Sequence, residues 1–206
     1  MPICKPKGAE LPTGVHLANA RELLFDAAER VLGRDGVSGL TTRAVTEEAG
    51  VAKGVMHRHF ADFDTFLAEL VLDRVAKLDE TANAVAGERT VVENLTEALR
   101  GAFSPLAVAM VALVITRDGL RDRLRDAGAA RFPLLAETSA MVTAYLAEEQ
   151  ALGRISATTD IPALSHMLIG SVHLLFTDHE SGPPDPEALQ KVVATAMRGA
   201  VPAKGA

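Results

Sequence analysis

The chain has 206 residues, a formal net charge of −6 and a hydrophobic content of 48%. That length suffices for one large or two small domains with a substantial core. Seven Phe, one Tyr and no Trp accompany an excess of Ala, Leu, Val and Arg, which favours helices over sheets. The single cysteine, Cys4, excludes a disulfide framework and fits the reducing cytoplasm, where we expect the protein to reside.

The sequence predicts neither a membrane-spanning segment nor a secretory signal. The longest apolar run, residues 105–115, is well short of the roughly 20 residues that a spanning helix needs. Residues 1–15 contain two Lys but no apolar core, so we expect a disordered tail there. Gly-rich phosphate loops and metal-binding clusters are missing from the sequence, so we predict no metal and no cofactor. Because the apolar run is short, we also predict no membrane partner.

Two helices are predicted first, at the N-terminal end. Apolar residues recur at helical spacing over 16–34, and Gly33 and Gly36 supply stop signals around the end of this helix. Thr41 is suited to N-cap a second, short helix that runs to about Ala49.

A glycine turn joins the second helix to a third. Gly50 is predicted to adopt the left-handed conformation that only glycine adopts cheaply, and a short helix follows over 52–60. Two short helices joined by such a turn have the outline of a helix-turn-helix. Asp62 is suited to cap a longer fourth helix that runs to about 86–87.

The rest of the chain is predicted to form about five further helices. They cover about 90–103, 105–127 with a break near Gly119, 131–152, 161–178 and 185–199. No alternating stretch is long enough for a sheet, so the predicted fold class is all-α.

Bulk charge does not favour nucleic-acid binding, because residues 1–80 carry ten Lys and Arg against thirteen Asp and Glu. Local placement is more favourable, since segment 41–60 has a net charge of +1. DNA binding through this segment requires its two acidic residues, Glu47 and Glu48, to face away from the duplex.

Residues 40–67, LTTRAVTEEAGVAKGVMHRHFADFDTFL, resemble the tetracycline-repressor (TetR) family of regulators. The matching features are a Thr-capped helix with Arg43, the turn at 49–51, Lys53-Gly54, His59-Phe60 and Phe66-Leu67. The resemblance implies an all-α homodimer with a three-helix DNA-binding domain at 16–61. A long fourth helix would connect it to an effector-binding and dimerisation domain at 62–206, whose last two helices would form most of the dimer interface.

Three positions depart from the family pattern. Ala52 stands where a capping Ser is usual, a change that typically costs about 1 kcal/mol of helix stability. His57 and Arg58 stand where a pair of aromatic residues is usual. Phe63 replaces a Lys that in the family typically contacts phosphate at the start of the fourth helix.

The second and third helices supply the candidate contacts to double-stranded operator DNA. The candidates are Thr41, Thr42, Arg43, Lys53, Gly54, Val55, His57, Arg58 and His59. Arg58 can bond guanine bidentately or pair with phosphate, and Lys53 can do either less selectively. Gly54 has no side chain to hold the backbone away from DNA. For the two arginines an ordinary solvated surface role is the alternative, and for His59 packing within the domain is favoured over reading a base.

The C-terminal domain offers candidates for binding a small-molecule effector. They are Phe103, Met110, Val114, Phe132, Met141, Tyr145, His166, Met167, His173 and Phe176. Plain core packing is the favoured alternative for each Met or Phe. Tyr145, His166 and His173 need polar partners, which a ligand or a neighbouring helix could provide. Because the candidate lining offers few charges, the effector is predicted to be modest in size and largely apolar.

A homodimer interface is predicted on the last two helices. The candidate residues are Ile161, Leu164, Leu168, Ser171, Val172 and Leu175, with Leu189, Val192, Val193, Ala196 and Met197. The small residues Gly170, Ser171, Ala194 and Ala196 would allow close helix approach. The pattern leaves open which stripe faces the partner and which faces the core of the same chain.

These features predict a ligand-responsive repressor that leaves a palindromic operator when its effector binds. Two alternatives stay open on the residues alone. One is an all-α enzyme, for which no catalytic constellation is present in the sequence. The other is a helical interaction module without DNA affinity, which the acidic balance and Phe63 favour.

Overall fold

The computed structural model describes residues 17–81, 86–178 and 183–202, which form α-helices and no strand. The helices are α1 (Leu17–Gly39), α2 (Thr42–Glu48), α3 (Lys53–His59), α4 (Phe63–Thr81), α5 (Val91–Ala102), α6 (Pro105–Thr116), α7 (Asp118–Asp126), α8 (Pro133–Ala151), α9 (Ile161–Thr177) and α10 (Pro186–Ala196). The predicted all-α class is therefore confirmed. The tail predicted at 1–15 lies outside the described residues.

The first three helices follow the local signals in the sequence. Helical geometry in α1 is interrupted at Gly36, whose φ of 68° lies in the left-handed region, whereas Gly33 lies within the helix. The Thr41 hydroxyl accepts a hydrogen bond from the Ala44 amide at 3.1 Å and so caps α2. Gly50 has a φ of 67° and forms the turn between α2 and α3, as predicted.

The break predicted near Gly119 within residues 105–127 is confirmed. The extended residue between α6 and α7 is Arg117, two residues before Gly119, with φ −125° and ψ 101°. Gly119 itself lies in the first turn of α7, where a Cβ atom would overlap the Asp64 carboxylate of α4. A side chain at this position would therefore require the Asp64 carboxylate, which pairs with Arg117, to shift.

Helices of the C-terminal half pack against one another and against the N-terminal helices. In the C-terminal half, α8 packs against α9, and α10 packs against α5 and α9. Towards the N-terminus, α4 packs against α7 and α8, and α6 packs against α1. A continuous hydrophobic core runs through these contacts, so α6 packs directly against α1, and α7 against α4.

In the part of the chain that the structure describes, no helix alone is long and apolar enough to cross a membrane. The two helices Val91–Ala102 and Pro105–Thr116 reach that length and composition only as a pair bent by 60°.

Candidate nucleic-acid interface and ligand cavity

The third helix is held by aromatic packing beneath it. Phe60, which directly follows α3, is buried, with its ring centroid 5.9 Å from that of Phe25 in α1 and 5.0 Å from that of Phe66 in α4. Met56 is buried on the same side of α3. This packing fixes which face of α3 points to solvent.

The outer face of α3 carries the predicted base-reading residues. Lys53, Gly54, His57 and Arg58 are exposed, while Val55 and His59 are half-buried. Among the described residues no carboxylate lies within ion-pair distance of Lys53 or Arg58. A Cβ atom at Gly54 would meet nothing within 4 Å, so the protein's own packing does not require a glycine there. Lys53 and Arg58 can thus bind an external anion.

On α2 the cationic residue is already paired. The Arg43 guanidinium donates to the Glu47 carboxylate at 2.7 Å, and both side chains are largely exposed. Thr41 is exposed and Thr42 half-buried at the start of this helix. Glu47 therefore offsets the charge of Arg43, while the other N–H groups of the exposed guanidinium can still reach a phosphate or a base edge.

The second acidic residue of this segment is directed towards α1. Glu48 accepts hydrogen bonds from Arg30 and Arg34, each at 2.8 Å. The bond from Arg34, followed by the one from Arg30, holds the pKa of Glu48 below its usual value. Its charge is thus met by two cations from another helix, which removes half of the acidic charge opposing DNA binding within 41–60.

The start of α4 is fixed to α7 by polar contacts. The Asp62 carboxylate caps the helix by accepting from the Thr65 amide at 2.7 Å, and it also accepts from Arg123 at 2.5 Å. Asp64 accepts from Arg117 at 2.5 Å, and the Arg117 guanidinium lies 5.1 Å from the ring centroid of Phe63. Two ion pairs therefore join the start of α4, beside the helix-turn-helix, to the start and the middle of α7.

A small cavity lies where the end of α5, α6, α8 and α9 meet. It is lined by Ala102, Phe103, Ala107, Val108, Val111, Leu134, Leu135, Thr138 and His173. Its volume of about 10 Å³ is room for about one water molecule. Phe103 and His173 are the two predicted effector residues that line it.

His173 has an unusual environment in this cavity. Its Nδ1 atom is buried and has no hydrogen-bond partner among the described residues. Its ring centroid lies 6.2 Å from that of Phe103, which in turn lies 5.7 Å from that of Phe176. Burial lowers the pKa of His173 below its ordinary value, so the ring is neutral at neutral pH.

The other predicted effector residues lie elsewhere. Met110, Val114 and Tyr145 are buried, and Phe132 and Met141 pack half-buried against the core. The Tyr145 hydroxyl donates to the buried Glu149 carboxylate at 2.6 Å, so a neighbouring side chain already satisfies it.

His166 and Met167 lie on the outside of α9 and not in the interior. The Nδ1 atom of His166 is 2.7 Å from the Pro162 carbonyl oxygen, and 60% of the Met167 side chain is exposed. Apart from Thr138, the residues that the prediction missed carry no polar or aromatic side chain. They are Ala102, Ala107, Val108, Val111, Leu134, Leu135 and Thr138.

The stripes predicted for dimerisation divide between interior and surface. Seven members are buried within the chain: Ile161, Leu164, Leu168, Val172, Leu189, Val193 and Met197. Met167 and Leu174, each 60% exposed, lie on the opposite side of α9 together with exposed Gly170 and Ser171. The apolar surface of α9 is therefore a different stripe from the buried one.

The helix-turn-helix part of the chain matches a known protein family. The family model "Bacterial regulatory proteins, tetR family" matches residues 24–70, which span most of α1, all of α2 and α3, and the first part of α4. This part of the chain is therefore similar to the DNA-binding part of TetR-family regulators. The HTH-type transcriptional repressor AcnR of Corynebacterium efficiens is 30% identical over 90 residues, which are 43% of this chain and 43% of that protein. The aligned part is thus less than half of that relative.

Solved structures share the fold of nearly the whole chain. A transcriptional regulator from Rhodococcus sp. Rha1 has a TM-score of 0.69 at 22% identity, over 88% of this chain and 99% of that one. A transcriptional regulator from Saccharomonospora viridis in complex with choline has a TM-score of 0.69 at 15% identity, over 90% and 100%. Escherichia coli NemR in its reduced form has a TM-score of 0.67 at 18% identity, over 89% and 99%. These similarities show a shared fold.

The departures from the TetR pattern have visible consequences. Ala52 has the extended geometry of an N-cap, with φ −67° and ψ 143°, but no side-chain hydrogen bond caps α3. Phe63 stacks on Phe66 with the ring centroids 5.6 Å apart, and Arg117 covers it. The position where the family typically carries a phosphate-binding Lys therefore belongs to the junction between α4 and α7.

Restoring the missing cap is expected to stabilise the domain. Ala52→Thr would place a hydroxyl where it can accept from a backbone amide of the first turn of α3, which raises the free energy of unfolding by about 1 kcal/mol. Urea denaturation measures this change. Ala52→Val has the same shape without the hydroxyl, so equal stability of the two variants would contradict the capping interpretation.

Proposed function

We propose that this protein is a cytoplasmic, ligand-responsive transcriptional repressor of the TetR family. It binds a palindromic operator as a homodimer and leaves it when a small, largely apolar effector binds. Residues 16–61 serve as the DNA-binding domain, and residues 62–206 bind the effector and dimerise. The observation that carries the proposal is the exposed face of α3, where Lys53 and Arg58 have no acidic partner among the described residues.

In this proposal α3 enters the major groove, which is wide enough to admit a helix. Arg58 reads a guanine edge or binds phosphate, and Lys53 neutralises a neighbouring phosphate. Gly54 lets the backbone approach closely, and Thr41, Thr42 and Arg43 contact the sugar-phosphate chain from α2. Val55, His57 and His59 lie beside these contacts on α3. The pair between Arg43 and Glu47, at 2.7 Å, opens when Arg43 meets a phosphate.

The exposed stripe on α9 supports the homodimer. A two-fold interface brings the same patch of both subunits together, and Met167 and Leu174 offer apolar side chains flanked by small residues for such a contact. Two recognition helices would then lie about 34–36 Å apart, one turn of DNA, which requires a palindromic operator.

Charge on this stripe is expected to separate the subunits. The variant Met167→Glu with Leu174→Glu places like charges opposite each other across the two-fold axis, so we expect a monomer with operator affinity reduced by roughly 100-fold or more, because half of the contacts are lost. Light scattering after size exclusion measures the mass. Leu152→Glu, at an exposed leucine outside the stripe, is the control that should stay dimeric. A double variant that remains a dimer would place the interface elsewhere.

The junction around α4 supplies a route from effector to DNA. Asp62 and Asp64 hold the start of α4 to Arg123 and Arg117, and α6, which lines the cavity, packs against α1. A ligand that displaces α6 would therefore reorient the helix-turn-helix. The effector shifts the equilibrium only by the difference between its affinities for the two arrangements.

A footprint on the gene's own upstream region tests the proposal. DNase I protection by the full-length protein should cover two inverted half-sites whose centres are about 10 base pairs apart, one helical turn, or a multiple of that spacing. Protection of a single asymmetric site would contradict the two-fold arrangement. Absence of protection over the whole region at micromolar protein would favour a helical interaction module without DNA affinity.

A further inference from the structure

We propose that the cavity between α5, α6, α8 and α9 binds an uncharged, largely apolar ligand through one neutral oxygen group, a hydroxyl or a carbonyl, that hydrogen-bonds to His173 Nδ1. The inference rests on the proposed effector response of this domain and names the chemistry that the effector must have.

The lining of the cavity excludes a charged ligand. Seven of the nine described residues that line it are apolar, the polar side chains are Thr138 and His173, and none of the nine is Asp, Glu, Lys or Arg. A carboxylate or ammonium group would lose its hydration there without an opposite charge to replace it. The ligand's body must therefore be apolar and its polar group neutral.

The unpaired nitrogen indicates where that polar group binds. His173 Nδ1 is buried without a hydrogen-bond partner in the described part of the chain, although buried polar atoms in proteins are almost always paired. A neutral imidazole has one N–H donor and one acceptor nitrogen, so Nδ1 can serve a carbonyl or a hydroxyl according to the tautomer. Thr138 already donates to the Leu134 carbonyl at 2.8 Å and offers only its oxygen lone pairs.

The cavity must widen before such a ligand fits, because its present volume of about 10 Å³ is far below that of ligand pockets. The geometry of the α5–α6 corner permits this. Phe103 and Ser104 are both extended and separate two helices bent by 60°. Ala107, Val108 and Val111 form the α6 wall, so the ligand enters as α6 moves away from α8. In the absence of ligand the apolar walls close on each other.

A matched set of probes tests this proposal on the full-length protein. The set contains straight-chain alcohols and 2-ketones of six to twelve carbons, with the carboxylates and amines of the same lengths. We expect the neutral compounds to raise Tm increasingly as their concentration rises and to bind in titration calorimetry, whereas the charged compounds of equal length do not. Binding of the carboxylates or amines as tightly as the alcohols would overturn the proposal, as would failure of every neutral probe.

Two further readouts assign the contact to His173. In His173→Phe, which keeps an aromatic ring in the cavity, the affinity for the best alcohol should fall roughly 3- to 10-fold through loss of one hydrogen bond, and His173→Gln should retain most of it. The imidazole ¹⁵N shifts of His173 in the wild-type protein should change when the alcohol binds, which needs no folded variant. Unchanged affinity in His173→Phe together with unchanged ¹⁵N shifts would remove His173 from the site.

Operator binding without any probe is measured on the same samples. If DNA binds but no neutral probe does, the ligand chemistry is wrong while the repressor function stands. If probes bind as expected and DNA does not, the cavity is a ligand site in a protein whose proposed function is wrong.

Discussion

Replacing Lys53 and Arg58 together by Ala is expected to weaken operator binding by roughly 100-fold or more at moderate salt. A two-fold dimer loses four cations, and each bidentate arginine–guanine contact contributes about 1–3 kcal/mol. Both side chains are exposed and have no ion pair among the described residues, so the fold and its stability should be unchanged. Fluorescence anisotropy with labelled upstream DNA measures the affinity, and circular dichroism checks the fold.

A control with the same change in charge separates contact from bulk electrostatics. Arg100→Ala with Arg125→Ala removes two exposed cations per subunit from α5 and α7, outside the helix-turn-helix. We expect its operator affinity to fall only a few-fold. If the two double variants bind DNA equally well, α3 is not the recognition helix.

Phe66→Ala is expected to be the most destabilising single substitution of the N-terminal domain. Its side chain is fully buried, and its ring centroid lies within 5.0–5.6 Å of those of Phe25, Phe60 and Phe63. Truncation of a buried Phe typically costs about 3–5 kcal/mol, from lost apolar burial and the cavity that remains. Phe60, which directly follows α3, packs against this ring. Loss of the ring should therefore loosen the position of α3, and operator affinity should fall as well.

Urea denaturation followed by circular dichroism measures this loss. Phe66→Leu keeps most of the apolar volume and should cost less than half as much. Leu23→Ala, at a leucine that is 40% exposed, should change stability by less than about 1 kcal/mol. A loss below about 1 kcal/mol for Phe66→Ala would mean that the aromatic cluster does not hold α1, α3 and α4 together.

The local part of the fold was predictable because its signals are local. The Thr41 cap and the left-handed Gly50 depend on a few neighbouring residues, and both are confirmed. The break predicted near Gly119 lies at Arg117, two residues away. The proximity of Gly119 to the Asp64 carboxylate of α4 could not be predicted, because the two residues are far apart in the sequence.

The candidate site divides in the same way. The sequence places Lys53 and Arg58 on one short helix, and the structure leaves them exposed. The sequence does not show that Glu48 accepts from Arg30 and Arg34, because this contact needs the packing of α1 on α2. Nor does the sequence show that Arg43 pairs with Glu47. Apart from Phe103, the residues that line the cavity with His173 could not be predicted, since a void between four helices leaves no pattern in any one of them.

The central claim is that α3 binds DNA although the protein has an overall charge of −6. The salt dependence of binding to the gene's own upstream duplex tests this claim most directly. Between about 50 and 200 mM KCl, the association constant of the wild-type protein should fall by roughly 100-fold or more, linearly on logarithmic axes, as phosphate contacts release counterions. The Lys53→Ala, Arg58→Ala variant should show a shallower slope. Affinity that does not change with salt, or equal slopes for the two proteins, would contradict binding of the duplex through this helix.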